Sequence, residues 1–273
     1  MIKVGIIGLG YWGTILYNSL STNKNFEVVK VCGRDKKNYG NIFTYNSNDV
    51  INSDANLIIV STQTKYHYEH IISAINSRKN VFVEKPICLT KKEAEEVIKL
   101  SDEKNTLLFV DHIYTTNPYV NKIKEIINRD IIKTYLSIRY NENCKLFDTT
   151  IIENLMYHDF YMFNHLIGDL NYEDYIINHI PFKWCDLKFG NINFKSSYRD
   201  KKTRNLFIET NNNSVFWDEI KNELIINNEN VIINPEYDNI NYKFNDIYTH
   251  IINKKDDGSK YDSLNIIKFI DEL

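Results

Sequence analysis

The spacing of three glycines near the amino terminus constrains this chain more than any other feature. In "KVGIIGLGYWG", Gly8, Gly10 and Gly13 form G-x-G-x-x-G directly after a β-branched run and at the opening of a helical pattern, "YWGTILYNSLST". Each glycine has a job there. The first allows a tight turn, the second bares the backbone to a pyrophosphate, and the third lets helix and strand pack closely. Phosphate is then met by the amino terminus of the helix. The motif therefore predicts a dinucleotide site, with Tyr11 and Trp12 on the same loop.

The segments that follow support that context. "FEVVKVCG", "NLIIVST", "YHYEHIISAINSR", "NVFVEKP", "KKEAEEVIKLSDEK" and "LLFVDH" alternate strand-like and helix-like patterns. Such alternation implies parallel pairing through right-handed crossovers. After "NPYVNKIKEIINR" the style changes. "TYLSIRYN", "YEDYIINHI", "NINFKSSYR", "RNLFIETN", "SVFWDEI" and "NELIINNENVIIN" show partial period-two alternation between Asn-rich turns, as an antiparallel sheet requires. Helices are expected around 151–166 and 263–273. The predicted architecture is α/β: a Rossmann dinucleotide-binding domain over 1–117, then an α+β domain over 118–273 with a mostly antiparallel open sheet.

Composition narrows the function classes. A formal net charge of -3 offers no basic footprint for nucleic acid. No stretch approaches the roughly 20 apolar residues of a membrane-spanning helix, and "MIKVGIIGLG" has neither a basic leader region nor a cleavage site. Cys32, Cys88, Cys144 and Cys185 form no CxxC pair, so neither a metal site nor a disulfide framework is expected, and a reducing cytoplasm fits best.

The coenzyme is read at the end of the second strand, where an acid would take the ribose hydroxyls of NAD. Here "VCGRDKK" places Gly33 at that position and Arg34 after it. A small residue followed by arginine leaves room and charge for a 2′-phosphate, with Lys36 or Lys37 adding to it, so NADP(H) is favoured. NAD(H) stays open through Asp35, should the turn be longer.

"VFVEKPICLT" sets Lys85 before Pro86 at the end of a buried strand, where proline should hold the lysine extended at the ligand-binding edge of the sheet. "TKKE", from Thr90, has the form of a capping box for the next helix. Taken with "GLGYWG", with "VSTQTKYHYEHI" and with "HD" at His158 and Asp159, these residues make the chain resemble the Gfo/Idh/MocA family of glucose-fructose oxidoreductase and inositol dehydrogenase. The resemblance is dense over about residues 1–125, returns at about 150–168, and is architectural beyond.

That resemblance implies a hydride exchange between a nicotinamide and a hydroxyl- or keto-bearing carbon of a sugar or sugar nucleotide. It implies that Lys85 polarises the reacting oxygen, that Thr62 and Gln63 contact the nicotinamide half, that His67 opens the following helix at the cofactor, and that Glu84 holds a ribose or orients Lys85. In "IIENLMYHDFYMFNHL", it implies that His158 transfers the proton. Asn154 stands where relatives carry an aspartate, four residues earlier and so expected on one helical face with His158, and Asp159 completes the H-D pair at the substrate. Tyr161 replaces a further acid. His112 and Asn117 are expected at the cleft, although Pro118 alone accounts for a helix start. Arg139, Lys183, Trp184 and Arg199 are candidates for substrate contact because they fall in the second sheet or its loops. A second domain shorter than the family's usual one implies a shallow pocket or one completed by a partner, and the open sheet face suggests a homodimer or homotetramer. Two alternatives from other classes remain: a dinucleotide-binding sensor or structural subunit without turnover, motivated by Asn154 and Tyr161, and an imine or enone reductase on the same scaffold.

Overall fold

The computed structural model describes residues 1–36, 39–142, 149–168, 174–180, 183–233 and 238–273; Lys37 and Cys144 lie outside them. In chain order the elements are β1 (Ile2–Ile7), α1 (Tyr11–Thr22), β2 (Phe26–Cys32), β3 (Phe43–Thr44), α2 (Ser47–Ile51), β4 (Leu57–Val60), α3 (His67–Asn76), β5 (Asn80–Val83), α4 (Lys91–Lys104), β6 (Leu108–Val110), α5 (Pro118–Ile127) and β7 (Ile132–Tyr140). A π-helical turn over Ile152–Met156 leads into α6 (Tyr157–Leu166). There follow β8 (Ile176–Ile180), β9 (Trp184–Phe189), β10 (Ile192–Ser197), β11 (Thr203–Thr210), β12 (Ser214–Asp218), β13 (Glu223–Ile226), β14 (Glu229–Val231), α7 (Asn239–Ile252) and α8 (Ser259–Glu272).

The chain divides into two compact units. The first comprises Met1–Ile113 with Asp238–Ile267, the second Tyr114–Tyr237 with Lys268–Leu273. The expected boundary at 117/118 is thus displaced, and residues 238–267, assigned from sequence to the second domain, pack in the first. The reason is α7. Its apolar residues Ile240, Phe244, Ile247 and Ile251 recur at helical spacing, and Phe244 and Ile247 are buried in the same core cluster as Leu16 and Leu20 of α1. Asp238 caps the helix, its carboxylate accepting from the backbone N–H groups of Ile240 and Asn241. The sequence reading assigned no helix there.

The sheet of the first unit has the order β3-β2-β1-β4-β5-β6, and every adjacent pair is parallel. β4 is buried along its whole length, as a strand covered on both faces must be. One face packs on Ile71, Ala74, Ala94 and Val97 of α3 and α4, the other on α1 and α7. The predicted capping box is formed: the Thr90 hydroxyl accepts from the Glu93 N–H and the Glu93 carboxylate from the Thr90 N–H.

The second unit carries an eight-stranded sheet of order β14-β13-β12-β11-β7-β10-β9-β8. Only β7 and β10 pair in parallel; the other neighbours are antiparallel. β9, which the sequence reading passed over, lies between β8 and β10. Along β7 burial alternates, with Tyr135, Ser137 and Arg139 buried. α6 covers that face: the Phe163 ring meets Tyr135 edge-on at 4.9 Å and Phe160 meets Phe194 at 5.1 Å. On the other face Leu136, Phe207, Phe216 and Ile225 stand in register across β7, β11, β12 and β13.

Candidate dinucleotide and active site

The glycine motif is built as its chemistry demands. Gly8 has φ +104°, and a Cβ there would fall 2.6 Å from the Ser61 backbone. At Gly13 a Cβ would fall 1.8 Å from the Gly8 carbonyl oxygen, so α1 can sit this close to β1 only with glycine. Gly10 is the opposite case. Nothing lies within 4 Å of its virtual Cβ, so the backbone is open on that side, where the amino terminus of α1 begins without any side-chain cap. Ser61, at the end of β4, donates its hydroxyl to the Gly8 carbonyl at 2.7 Å and clamps β1 to β4 at the point where the strand order reverses. Tyr11 and Trp12 are exposed on this loop, 5.8 Å apart edge-on. At the end of β2, Gly33 packs against Leu9, and Arg34, Asp35 and Lys36 are all exposed.

The next turn holds Thr62 and Gln63. The Thr62 hydroxyl is buried without a hydrogen-bond partner among the described residues, while Gln63 is exposed. His67 is 1% exposed, its Nδ1 2.9 Å from the Pro86 carbonyl and its Nε2 3.1 Å from the Thr62 carbonyl. Burial pushes its pKa down to about 4 despite those carbonyls. Neutral, the ring donates from one nitrogen to one of these carbonyls and fills the space between the β4 turn and the β5 turn.

β5 ends at Val83, so Glu84 and Lys85 lie just beyond the strand, half-buried, and the Lys85–Pro86 peptide is cis. Glu84 Oε1 is buried without a hydrogen bond to a described residue. After β6 come Asp111 and His112, 6% and 1% exposed. Burial pushes His112 down to about 3, with Lys243 adding to the effect. His112 is therefore a neutral interior residue of the first unit. Lys243, from α7, is itself buried and pairs with Asp257 at 3.0 Å. Sequence reasoning missed Asp111, Lys243 and Asp257; the quoted "VDH" held the first, but only the unassigned helix brings the other two to the sheet edge.

In the second unit a π-helical turn leads into α6, with the Tyr157 N–H bonded to the Ile152 carbonyl, five residues back. The Asn154 amide donates to the Tyr198 hydroxyl at 2.9 Å. His158, half-buried, has Nδ1 3.4 Å from the Tyr161 hydroxyl and its ring 6.1 Å edge-on from Tyr114. Asp159 is turned inward. Its Oδ1 accepts from Ser137 at 2.7 Å and from Arg139 Nε at 3.0 Å, and it is 1% exposed. Arg139 also donates to the Tyr114 hydroxyl at 3.0 Å and lies 3.6 Å from Glu219, which Arg204 holds at 2.6 Å. Asp159 and Arg139 thus serve each other inside the unit. Asn117 is the amino-terminal cap of α5, accepting from Tyr119 and Val120 N–H with Pro118 at the first helical position. Lys183 and Arg199 are exposed, and Trp184 is half-buried at the start of β9.

Glycine cradle, open backbone at Gly10, uncapped helix start and buried polar oxygens of Thr62 and Glu84 fit a dinucleotide; they define the first unit as a nucleotide-binding Rossmann domain. Residues 2–112 match the family model of oxidoreductases with an NAD-binding Rossmann fold, Gfo/Idh/MocA, so it is the first unit that carries the likeness to this family. Among curated relatives, scyllo-inositol 2-dehydrogenase (NADP(+)) of Bacillus subtilis is 30% identical over 150 residues, which are 51% of this chain and 42% of that protein. The chain spans about two fifths of the length of the curated relatives it matches. Solved structures extend the likeness of fold to the whole chain. UDP-N-acetylglucosamine 3-dehydrogenase from Acidithiobacillus ferrooxidans superposes with a TM-score of 0.87 at 16% identity, covering 100% of this chain and 96% of that one. A 3-ketoreductase from Actinomadura kijaniata, in complex with TDP-benzene and NADP, gives 0.86 at 13% identity over 100% and 96%.

Proposed function

We propose that this protein is an NAD(P)-linked oxidoreductase acting on a hydroxyl or keto carbon of a sugar or sugar nucleotide. The observation that carries the reading is the glycine cradle of Gly8, Gly10 and Gly13 at the reversal point of the first sheet, joined to a lysine set just past the neighbouring strand. The main-chain N–H groups that open α1 hold the pyrophosphate, Thr62 and Gln63 meet the nicotinamide half, and Glu84 serves the ribose or Lys85. When bound, the coenzyme supplies or accepts the hydride. Lys85 provides positive charge for the oxygen of the reacting carbon, and His158 takes or returns its proton. Asn154, already bonded to Tyr198, orients and does not accept a proton. Exposed Arg34 beside Gly33 favours NADP(H) over NAD(H), in line with the NADP(+) for which the inositol dehydrogenase relative is named. Free buried thiols at Cys32, Cys88 and Cys185 suit a reducing cytoplasm, and the in-register apolar row of the second sheet suits pairing of two copies.

The test is NADPH consumption or formation across a panel of inositols, sugars and nucleotide sugars, comparing the parent with Lys85→Met. Turnover is expected to fall at least about a hundredfold in the variant, as for loss of a group that stabilises developing charge, with NADPH binding retained. Equal rates would remove the lysine from the chemistry, and NADPH binding without turnover on any substrate would favour the non-catalytic subunit. Arg34→Ala should weaken NADPH binding far more than NADH binding; indifference returns NAD(H) to first place.

A further inference from the structure

The carboxyl ends of β5 and β6 bring two acids together. Val83 pairs with Val110, the Glu84 N–H bonds to the Val60 carbonyl at 2.9 Å, and the Asp111 N–H bonds to the Val83 carbonyl at 2.9 Å. The side chains of Glu84 and Asp111 hydrogen-bond each other. Two ionised carboxylates have no proton to share, so the contact requires that one be protonated. Glu84 Oε1 and Asp111 Oδ1 are buried and accept no hydrogen bond from an N–H or hydroxyl of a described residue, which makes two negative charges here costly.

The groups around the pair come from every neighbouring element. Lys85 follows Glu84, and neutral His112 follows Asp111. From α7 comes Lys243, which is answered by Asp257 at 3.0 Å and Asp246 at 3.8 Å, and Asp257 is held in turn by the Ser259 hydroxyl at 2.6 Å. His67, beyond Pro86, is neutral and occupied by two carbonyls. Lys243 is balanced by its own aspartates, while Lys85, next in sequence to Glu84, draws both acids towards the charged form.

We propose that Glu84 and Asp111 hold one proton between them at neutral pH and act as a unit of single negative charge that positions the Lys85 ammonium. The shared proton rests on the placement and burial of the two acids, whereas the consequence for turnover rests on the function proposed above. Burial, then the Asp111 charge, hold Glu84 well above the ordinary carboxylate range; burial also raises Asp111, against the pull of Lys243 and Lys85.

Infrared difference spectroscopy of the protein without coenzyme tests the pair directly. At pH 7 we expect a deuterium-sensitive carbonyl stretch of a protonated acid that is lost in Glu84→Gln. No such band in the parent, or a band that survives Glu84→Gln, overturns the proposal whether or not the protein turns over any substrate. Should Glu84→Gln fail to fold, titration of the band in the parent decides: persistence to pH 7 supports the shared proton, and loss by pH 5 overturns it. For positioning, Asp111→Asn removes the counter-charge and should move the alkaline limb of kcat/KM to lower pH by about one unit. A limb that does not move, with only KM or thermal stability altered, would reduce Asp111 to a structural role.

Discussion

His67 shows how a residue type that invites a chemical role can be consumed by structure. Both ring nitrogens face carbonyls, and the ring stays neutral in the fold with its pKa pushed down to about 4, whereas the unfolded chain protonates near 6.5. Because the folded value is depressed for a base, the unfolded state binds the extra proton as pH falls. Stability is full above pH 6.5 and is lost progressively as pH drops towards 4, by on the order of 3 kcal/mol for a shift of this size. His67→Ala should both destabilise the protein by about 2 kcal/mol at pH 7.5, through loss of a buried bridge, and flatten part of this acid slope. Urea melts between pH 7.5 and 4.5 check it: an unchanged slope would mean that another group drives the acid sensitivity. His112, displaced further in the same direction, supplies the remaining slope. The type and position of both histidines were legible in the sequence, but their enclosure was not, since it depends on carbonyls and charges from other elements.

At the scale of elements, the strand-turn-helix from β1 to α1 was readable because each glycine answers a local geometric demand. The structure separates those demands in a way that mutation can follow. Gly13→Ala would drive a methyl into the Gly8 carbonyl and should cost several kcal/mol or abolish folding. Gly10→Ala meets no atom, so the melting temperature should stay within a few degrees while NADPH binding weakens at least about tenfold, as a methyl enters the phosphate's path. Equal loss of stability in both would refute the assignment of Gly10 to ligand approach. The same scale explains a failure of sequence reasoning. The sequence reading expected a regular α-helix running from Asn154 to His158, whereas a π-helical turn occupies Ile152–Met156. Nothing in "IIENLMYHD" announces an i to i+5 bond, because the pattern of apolar residues is compatible with either winding.

For the molecule as a whole, the open face of the second sheet matters most. Leu136, Phe207, Phe216 and Ile225 align across four strands, with Phe207 38% exposed and its ring 4.8 Å from that of Phe216. An apolar row of this kind, partly exposed among the described residues, favours burial against a second copy. Sedimentation of the parent and of Phe207→Lys should show an oligomer that the variant dissociates towards monomer with its fold retained; a monomeric parent would remove the proposed pairing.

By itself, the sequence determined what short-range physics controls: the parallel alternation over the first hundred or so residues, the glycine turn, the capping box at Thr90 and the change to antiparallel strands after Thr134. Each is set by residues within one turn or one strand of each other. Only the tertiary structure decided that α7 returns to the first unit, that Lys243 and Asp257 reach the edge beside Asp111, that Asp159 turns inward to Arg139, and that His112 is sealed from water. Those outcomes depend on which distant surfaces bury one another, and the free energy of a charge or an imidazole is set by the neighbours that burial selects, which no local pattern encodes.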